Sequence, residues 1–362
     1  MAKQQKAKRF PRVKRVLVNL FLGGNIFTLL LLWACCASTY IDPTQHPHLA
    51  VIGLAFPFIV LFNLLFIPFW LIYKPRLMLV PIVGIALCST FLLDYCPIGL
   101  NRHPEKAVFR VTTWNCHDLS YYKGDSLELA HKYIRNIGSD IICLQEFNYG
   151  RTAFKPLIDS LASLGYTDFH SGSRVIFTRY PIVSNQVINS QDSEKKAIIR
   201  ADVQIDDEIL SVYCVHLESN KISPDDKEVY ADVIQDPGRQ KVENEVRHLT
   251  GKLSTAASSR ANQVRAILAN MDSLPEGRSV LLCGDFNDTP ISYTYQTISR
   301  RLSNAFRQGG RGIGLSFSER YFPVRIDNIF FTSDWHCEEA YIDRSITASD
   351  HYPIHAALRR SK

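Results

Sequence analysis

The first hundred residues are almost without acid: Asp42 and Asp94 are the only carboxylates there, and no Lys or Arg stands between residues 16 and 73. A segment this poor in charge cannot supply the solvated face of a soluble helical bundle. The nine cysteines form no CxxC and no Cys/His metal spacing, which argues against a zinc site, a redox motif or a disulfide framework. Cys116, Cys143, Cys214 and Cys283 each lie in or end an apolar run, the setting of a small core residue. There is no internal repeat or low-complexity tract, and at 46% hydrophobic and 21% charged the chain is not globally disordered.

The net charge of +6 is unevenly placed. Residues 1–100 hold nine Lys/Arg and two acids, which leaves 41 − 9 = 32 bases and 35 − 2 = 33 acids beyond residue 100. The later portion is thus close to neutral and lacks the broad basic track of a duplex-gripping protein.

A basic tail over residues 1–15 precedes three apolar stretches, Val16–Ser38, Leu49–Tyr73 and Leu77–Asp94. Each approaches the roughly 20 residues that cross a bilayer as a helix, and a cleaved signal peptide cannot explain three in succession. Trp33, Trp70 and Tyr73 near the segment ends suit the interfacial belt. The tail carries seven Lys/Arg, the Thr39–His48 connection none and the Lys74–Arg76 turn two. The positive-inside rule then places the tail and that turn in the cytoplasm and the chain beyond the third crossing outside. The expectation is a multi-pass protein of a bacterial inner membrane with its later domain on the periplasmic side, although unpaired cysteines sit uneasily there. The division expected is a membrane region over 1–96, a linker over 97–107 and a second domain over 108–362.

That second domain reads as short strands alternating with helical and polar stretches. Strands are predicted at Val108–Trp114, Ile141–Leu144, Arg174–Thr178, 280–283, Ile326–Phe331 and from Ile354. Ala197–Ile205 and Ile209–Val215 read as a hairpin, while Ser126–Ile137 and Arg260–Met271 read as helices. Between Glu218 and Ser259 lies a charged insertion, read as either a solvated excursion or helices covering a site. The Gly- and Arg-rich stretch Arg307–Arg325 reads as either a flexible connection or a mobile loop contacting an anion.

Six apolar strands deliver polar groups in comparable places. Thr113-Trp114-Asn115 ends in an amide, Leu144-Gln145-Glu146 in a carboxylate, and Val215-His216 in an imidazole. Leu281-Leu282-Cys283-Gly284-Asp285-Phe286-Asn287-Asp288 brings a carboxylate and an amide past Gly284, which is expected to turn the chain sharply. Asp327 lies within Arg325-Ile326-Asp327-Asn328-Ile329, and Asp350-His351 precede the last strand. Any one could be a strand cap; the set is a poor fit to chance. Carboxylates beside amides suit a site that positions water or a hard cation and binds an anionic oxygen.

From about Val108 to Leu358 the ordered motifs TWN, LQE, VHLES, GDFND, RIDNIF and SDHYPI resemble the endonuclease/exonuclease/phosphatase superfamily. The resemblance implies a DNase I-like, four-layer α/β sandwich that hydrolyses phosphoester bonds with a divalent cation, Mg²⁺ or Mn²⁺. It implies Glu146 as the principal metal carboxylate with Asn115 beside it. Asp285 would orient or deprotonate the attacking water, and Asn287 would hold a phosphate oxygen. His351, oriented by Asp327, would act as acid/base or phosphate stabiliser. Asp350 would assist metal or water positioning, and His216 would contact phosphate or leaving group. His117 and Asp118 depart from the apurinic-endonuclease pattern, which has an acid two residues beyond the motif Asn. His216 is more similar to the DNase and sphingomyelinase branches.

The reading is a membrane-anchored, metal-dependent phosphoesterase acting on a phospholipid, a small phosphodiester or monoester, or nucleic acid. The rival classes are an endo- or exonuclease and a non-enzymatic membrane scaffold. No obligate protein partner is expected.

Overall fold

Ile141–Gln145 shows how the domain is layered. Alternate residues of a strand face opposite sides of its sheet. Here Ile141 and Cys143 enter one core while Ile142 and Leu144 enter another, and all four are fully buried. A strand covered on both faces must be apolar throughout, which is why it reads as an unbroken hydrophobic run. In the computed structural model, residues 2–99, 109–119, 126–189, 198–222, 239–318 and 324–361 are described. Val108, most of the expected linker, Ala197 and the first part of the expected insertion lie outside them.

The strands are β1 (Phe109–Asn115), β2 (Ile141–Gln145), β3 (Thr167–Ser171), β4 (Arg174–Thr178), β5 (Ile182–Ile188), β6 (Ile198–Ile205), β7 (Glu208–His216), β8 (Ser279–Asp285), β9 (Ser303–Asn304), β10 (Asp327–Phe331), β11 (Trp335–Ile342) and β12 (Ile354–Arg360). They form two six-stranded sheets, ordered β11-β12-β1-β2-β4-β3 and β5-β6-β7-β8-β10-β9. The pairs β1/β2 and β7/β8 are parallel. Between the sheets pack Val111, Ile141, Cys143, Cys214, Leu281 and Cys283. Ser126–Asn136 and Lys155–Ser163 cover the outer face of the first sheet through Ala130, Ile134, Leu157 and Leu161. Val264 and Ile267 of Arg239–Asp272, with Tyr295 and Ile298 of Tyr293–Ser299, cover the second. The result is the expected four-layer α/β sandwich, helices–sheet–sheet–helices.

The helix expected over Arg260–Met271 begins twenty-one residues earlier, at Arg239. Half of the expected insertion, residues 239–259, therefore belongs to this helix, with Val246, Leu249 and Leu253 at helical spacing among the charges.

The N-terminal region contains two helices long and apolar enough to cross a membrane, within Lys14–Ser38 and Pro47–Tyr73. Buried Asn25 and Asn63 hydrogen-bond between them at 3.2 Å, and Trp70 Nε1 donates to Asn25 Oδ1 at 3.2 Å. The third expected span is broken: Pro75–Ala86 and Ser89–Tyr95 meet at a 65° bend, with Leu87 and Cys88 as the turn, so a third crossing exists only if the pair counts as one.

One end of this helical region docks on the sandwich. Arg265 pairs with Asp42, Ser258 Oγ donates to the Pro43 carbonyl at 2.8 Å, and Ser254 Oγ lies 3.2 Å from His48 Nδ1. Gly53 approaches so closely that a Cβ there would lie 2.1 Å from the Ile291 carbonyl oxygen. At the far end of the bent pair, buried Asp94 pairs with Arg307, takes a 2.9 Å hydrogen bond from Gln296, and its carbonyl accepts from Arg325. Two arginines of the stretch read as an anion-contacting loop are thus engaged in docking. The reason is electrostatic: a carboxylate buried at the end of an apolar helix needs a cation. The Gly99 amide also donates to the Gly310 carbonyl at 3.0 Å, so the described start of the expected linker is held to the domain.

Candidate functional site

Strand register assembles one side of the site. Parallel pairing of β7 with β8 sets His216 opposite Asp285, and antiparallel pairing of β8 with β10 sets Asp327 on its other side. The chain does not turn at Gly284, as the sequence suggests; the strand runs on through Asp285. Gly284 is required there for another reason, since its φ is +146° and a Cβ would stand 1.9 Å from the Val215 carbonyl oxygen.

The facing sheet supplies Asn115 at the end of β1 and Glu146 just past β2. Asn115 Nδ2 lies 3.0 Å from both Glu146 Oε1 and Asp285 Oδ2, so one buried amide ties the two sheets together. The turns holding these groups are sterically unfavourable. Glu146 and Asn287 each have φ of +50°, and His117, Asp118 and Leu119 follow β1 with φ of +45°, +51° and +51°. Compensating bonds hold the turns in place: the Asp118 amide donates to the Glu146 carbonyl at 2.7 Å, and the Asn148 amide donates to Asp118 Oδ1 at 2.9 Å. Asp118 is thus a loop brace.

Asp285 is the most contacted carboxylate. Besides Asn115, it accepts from the Asn287 amide at 2.8 Å, and His216 Nε2 and His351 Nε2 lie 3.7 and 3.8 Å from Oδ2. Asn287 Nδ2 donates to the Leu217 carbonyl at 3.0 Å and reaches Asp285 Oδ2 at 3.3 Å. His351 Nδ1 is 2.8 Å from Asp327 Oδ2, both residues being buried. The His351 backbone is fixed too, since Trp114 Nε1 donates to its carbonyl and its amide donates to Ser349 Oγ. Asp350 lies at the rim, with Oδ1 4.0 Å from His117 Nδ1. All eight residues expected from the sequence therefore gather at one edge of the paired sheets.

The protonation states of Glu146, Asp327 and His351 are set by burial and by their neighbours. Burial favours a protonated Glu146, but hydrogen bonds from His117 and Asn115 and the nearby His216 outweigh it and lower its pKa to about 2. Burial opposes charge on His351, yet the Asp327 and Asp285 carboxylates push its pKa up to about 10. Burial likewise raises Asp327, so the Asp327–His351 pair keeps a proton well above neutral pH. The site has an anionic end at Glu146 and a proton-holding end at His351.

Two participants escaped the sequence reading. His117 Nδ1 lies 3.0 Å from Glu146 Oε2, and that contact raises its pKa. Buried Arg260 donates to Asp288 Oδ2 at 3.1 Å and to the Glu218 carbonyl and Asn220 Oδ1 at 2.9 Å, bracing the loops after β7 and β8. Its signal was an arginine within the apolar stripe of Ala257, Ala261 and Val264.

Two places fit a cation. Glu146 is a partly exposed, ionised carboxylate beside an amide, a hard oxygen-donor set that suits Mg²⁺ or Mn²⁺. Among the described residues, Asp285, Asp327 and His351 also offer ligand atoms all within 4.8 Å of one another.

Residues 112–351 match the Endonuclease/Exonuclease/phosphatase family, and residues 18–95 match a domain of unknown function. No curated protein matches the chain in sequence. Among solved structures, the chain is similar to a humanized D. rerio TDP2 (17% identity, TM-score 0.52, 69% of this chain and 98% of that one). It is similar to D. rerio TDP2 complexed with a single-strand DNA product (16%, TM-score 0.51, 70% and 100%). A third is the endonuclease/exonuclease/phosphatase from Bacteroides vulgatus (16%, TM-score 0.50, 71% and 100%). At these identities the structural likeness concerns the fold, but the family match spans more than half of the 362 residues and includes every expected site residue. The chain belongs to the endonuclease/exonuclease/phosphatase family.

Proposed function

We propose that this chain is a membrane-anchored, divalent-metal-dependent phosphoesterase, with a membrane region to residue 96 and a catalytic domain from residue 108. The observation that carries the reading is the division of one cavity floor into an ionised Glu146 and a proton-bearing Asp327–His351 pair, with Asp285 between them. Glu146 would hold the cation, with Asn115 beside it fixing the carboxylate through Nδ2. When bound, Mg²⁺ or Mn²⁺ neutralises charge that builds on the phosphoryl oxygens.

The remaining work falls to the protein. Asp285, aimed by Asn115 and by the Asn287 amide, orients the attacking water and takes its proton. Asn287 can exchange its long 3.3 Å contact with Asp285 for a phosphate oxygen. His216 Nε2 lies 3.7 Å from both Glu146 and Asp285 and contacts the phosphate or leaving group. His351 offers Nε2–H to a phosphate oxygen or the leaving oxygen, while Asp327 fixes Nδ1. Asp350 assists at the rim. The near-neutral charge beyond residue 100 disfavours long nucleic acid, so a small or lipid-borne phosphoester is the substrate class preferred over DNA or RNA.

Docking supports an orientation. The 39–55 connection and Asp94 both touch the catalytic domain, whereas the Lys74–Arg76 turn lies at the opposite ends of the neighbouring helices. With the basic end cytoplasmic, the domain is outside, on the periplasmic side of an inner membrane. Reporter fusions test this: one after Lys362 should be active outside and one at 74–76 inside. The reverse pattern would refute the orientation.

Glu146→Gln keeps the side chain's size and removes its charge. It should lower Mg²⁺-dependent turnover by about 10²-fold or more while leaving the thermal unfolding midpoint little changed. EDTA should abolish hydrolysis of a chromogenic phosphodiester, and Mg²⁺ or Mn²⁺ should restore it. Full activity in chelator would exclude the mechanism.

The His351 pair gives a pH signature. A raised imidazole pKa means that the proton is present below about pH 10 and lost as pH rises through that value. Asp327→Asn removes the main charge holding that proton, so the alkaline limb of the kcat profile should move toward neutrality. Turnover should fall about 10²–10⁴-fold, with Asp327→Asn/His351→Ala little worse than His351→Ala. An unmoved limb, or multiplicative losses, would show that the residues do not act together.

A further inference from the structure

The cavity over the polar floor encloses about 380 Å³, and part of its wall comes from outside the catalytic domain. Pro43 belongs to the connection between the two long apolar segments and Ala50, Val51 and Leu54 to the first turns of the second, Pro47–Tyr73, yet they line the same cavity as Asn115, Glu146, Asp285 and His351. Leu249 and Leu253 of the Arg239–Asp272 helix extend this apolar side. Leu54 is 36% exposed, so it is not spent on core packing.

We propose that this stretch is an acyl-chain subsite: a membrane lipid lays its hydrocarbon chain along Pro43, Ala50, Val51 and Leu54 while its phosphoester sits on the polar floor. The inference rests on the phosphoesterase reading and specifies its substrate. Three observations converge on it. The wall is continuous with the site and sets apolar residues beside its polar floor, which matches an amphiphile better than a nucleic-acid strand, whose charges continue on both sides of a phosphodiester. The wall residues lie in and just before the first turns of a segment of membrane-crossing length and composition, where a lipid headgroup would be met. The wall is also fixed, by the Gly53 approach to Ile291 and the Ser258–Pro43 hydrogen bond. The chemistry balances without any redox partner. Water oxygen bonds to phosphorus, the P–O bond to the leaving oxygen breaks, one water proton passes to Asp285, and the leaving oxygen is protonated by His351.

The test uses the full chain in lipid nanodiscs with Mg²⁺ and a series of alkyl p-nitrophenyl phosphodiesters from ethyl to octyl, each below its micelle concentration. A thymidine oligonucleotide is assayed alongside. In the wild type kcat/KM should rise with chain length, by up to about fourfold per methylene fully buried. Leu54→Ser and Val51→Ser should flatten that rise, and Leu54→Met should preserve it. A flat series in the wild type overturns the subsite however the variants fold. The same slope in wild type and Ser variants, or oligonucleotide cleaved in preference to the octyl diester, also overturns it. Metal-dependent turnover with no length dependence leaves the phosphoesterase reading standing, whereas no turnover of any compound removes both.

Discussion

A single amide holds the two sheets in catalytic register. Asn115 Nδ2, at the end of a central strand of one sheet, bonds at 3.0 Å to Asp285 at the end of a central strand of the other, and at 3.0 Å to Glu146. Around that contact, strand pairing places His216 and Asp327 on either side of Asp285. Three carboxylates and two imidazoles this close would repel or neutralise one another if left to water. Here Glu146 is kept ionised by donors, and the Asp327–His351 pair shares a retained proton. The sandwich core supplies the rigidity that keeps these states apart, and positive-φ turns at Glu146 and Asn287 are held by the surrounding bonds.

Much of this was legible because it is written at strand ends. Apolar runs that stop at Asn, Glu, His or Asp report both the strand and the polar group it carries, so the layers and the eight residues that gather at one sheet edge could be named from sequence. Helix length was less legible. In Arg239–Asp272 the first half mixes charges with Leu249 and Leu253, and composition read locally hides an apolar stripe that tertiary contacts use. The bend after Ala86 has no proline or glycine at the break itself, so an unbroken apolar stretch was the natural expectation. Gly284 was singled out for a turn, while its role is a close strand approach that only pairing with β7 creates. His117 and Arg260 act through partners distant in sequence, Glu146 and Asp288, and no local pattern announces such a meeting.

The helical region is more than a tether. Asp94 with Arg307 and Arg325, and Asp42 with Arg265, join one end of it to the sandwich through charged contacts. Removing one partner of the buried Asp94 set would strand an uncompensated charge, which makes this interface specific as well as adhesive. Its consequence is that residues at and just before the start of the second long apolar segment reach the cavity over the candidate site. In the proposed reading, anchoring and substrate selection share one structural element.

The central claim is that the floor is divided, with the cation at Glu146 and the proton at His351. Diffraction from crystals soaked in Mn²⁺, measured at the manganese absorption edge, addresses it directly. The account predicts an anomalous peak beside the Glu146 carboxylate, on the Asn115 side, and none bonded to His351 Nε2. A peak bonded to Asp327 and His351, with Glu146 bare, would contradict it.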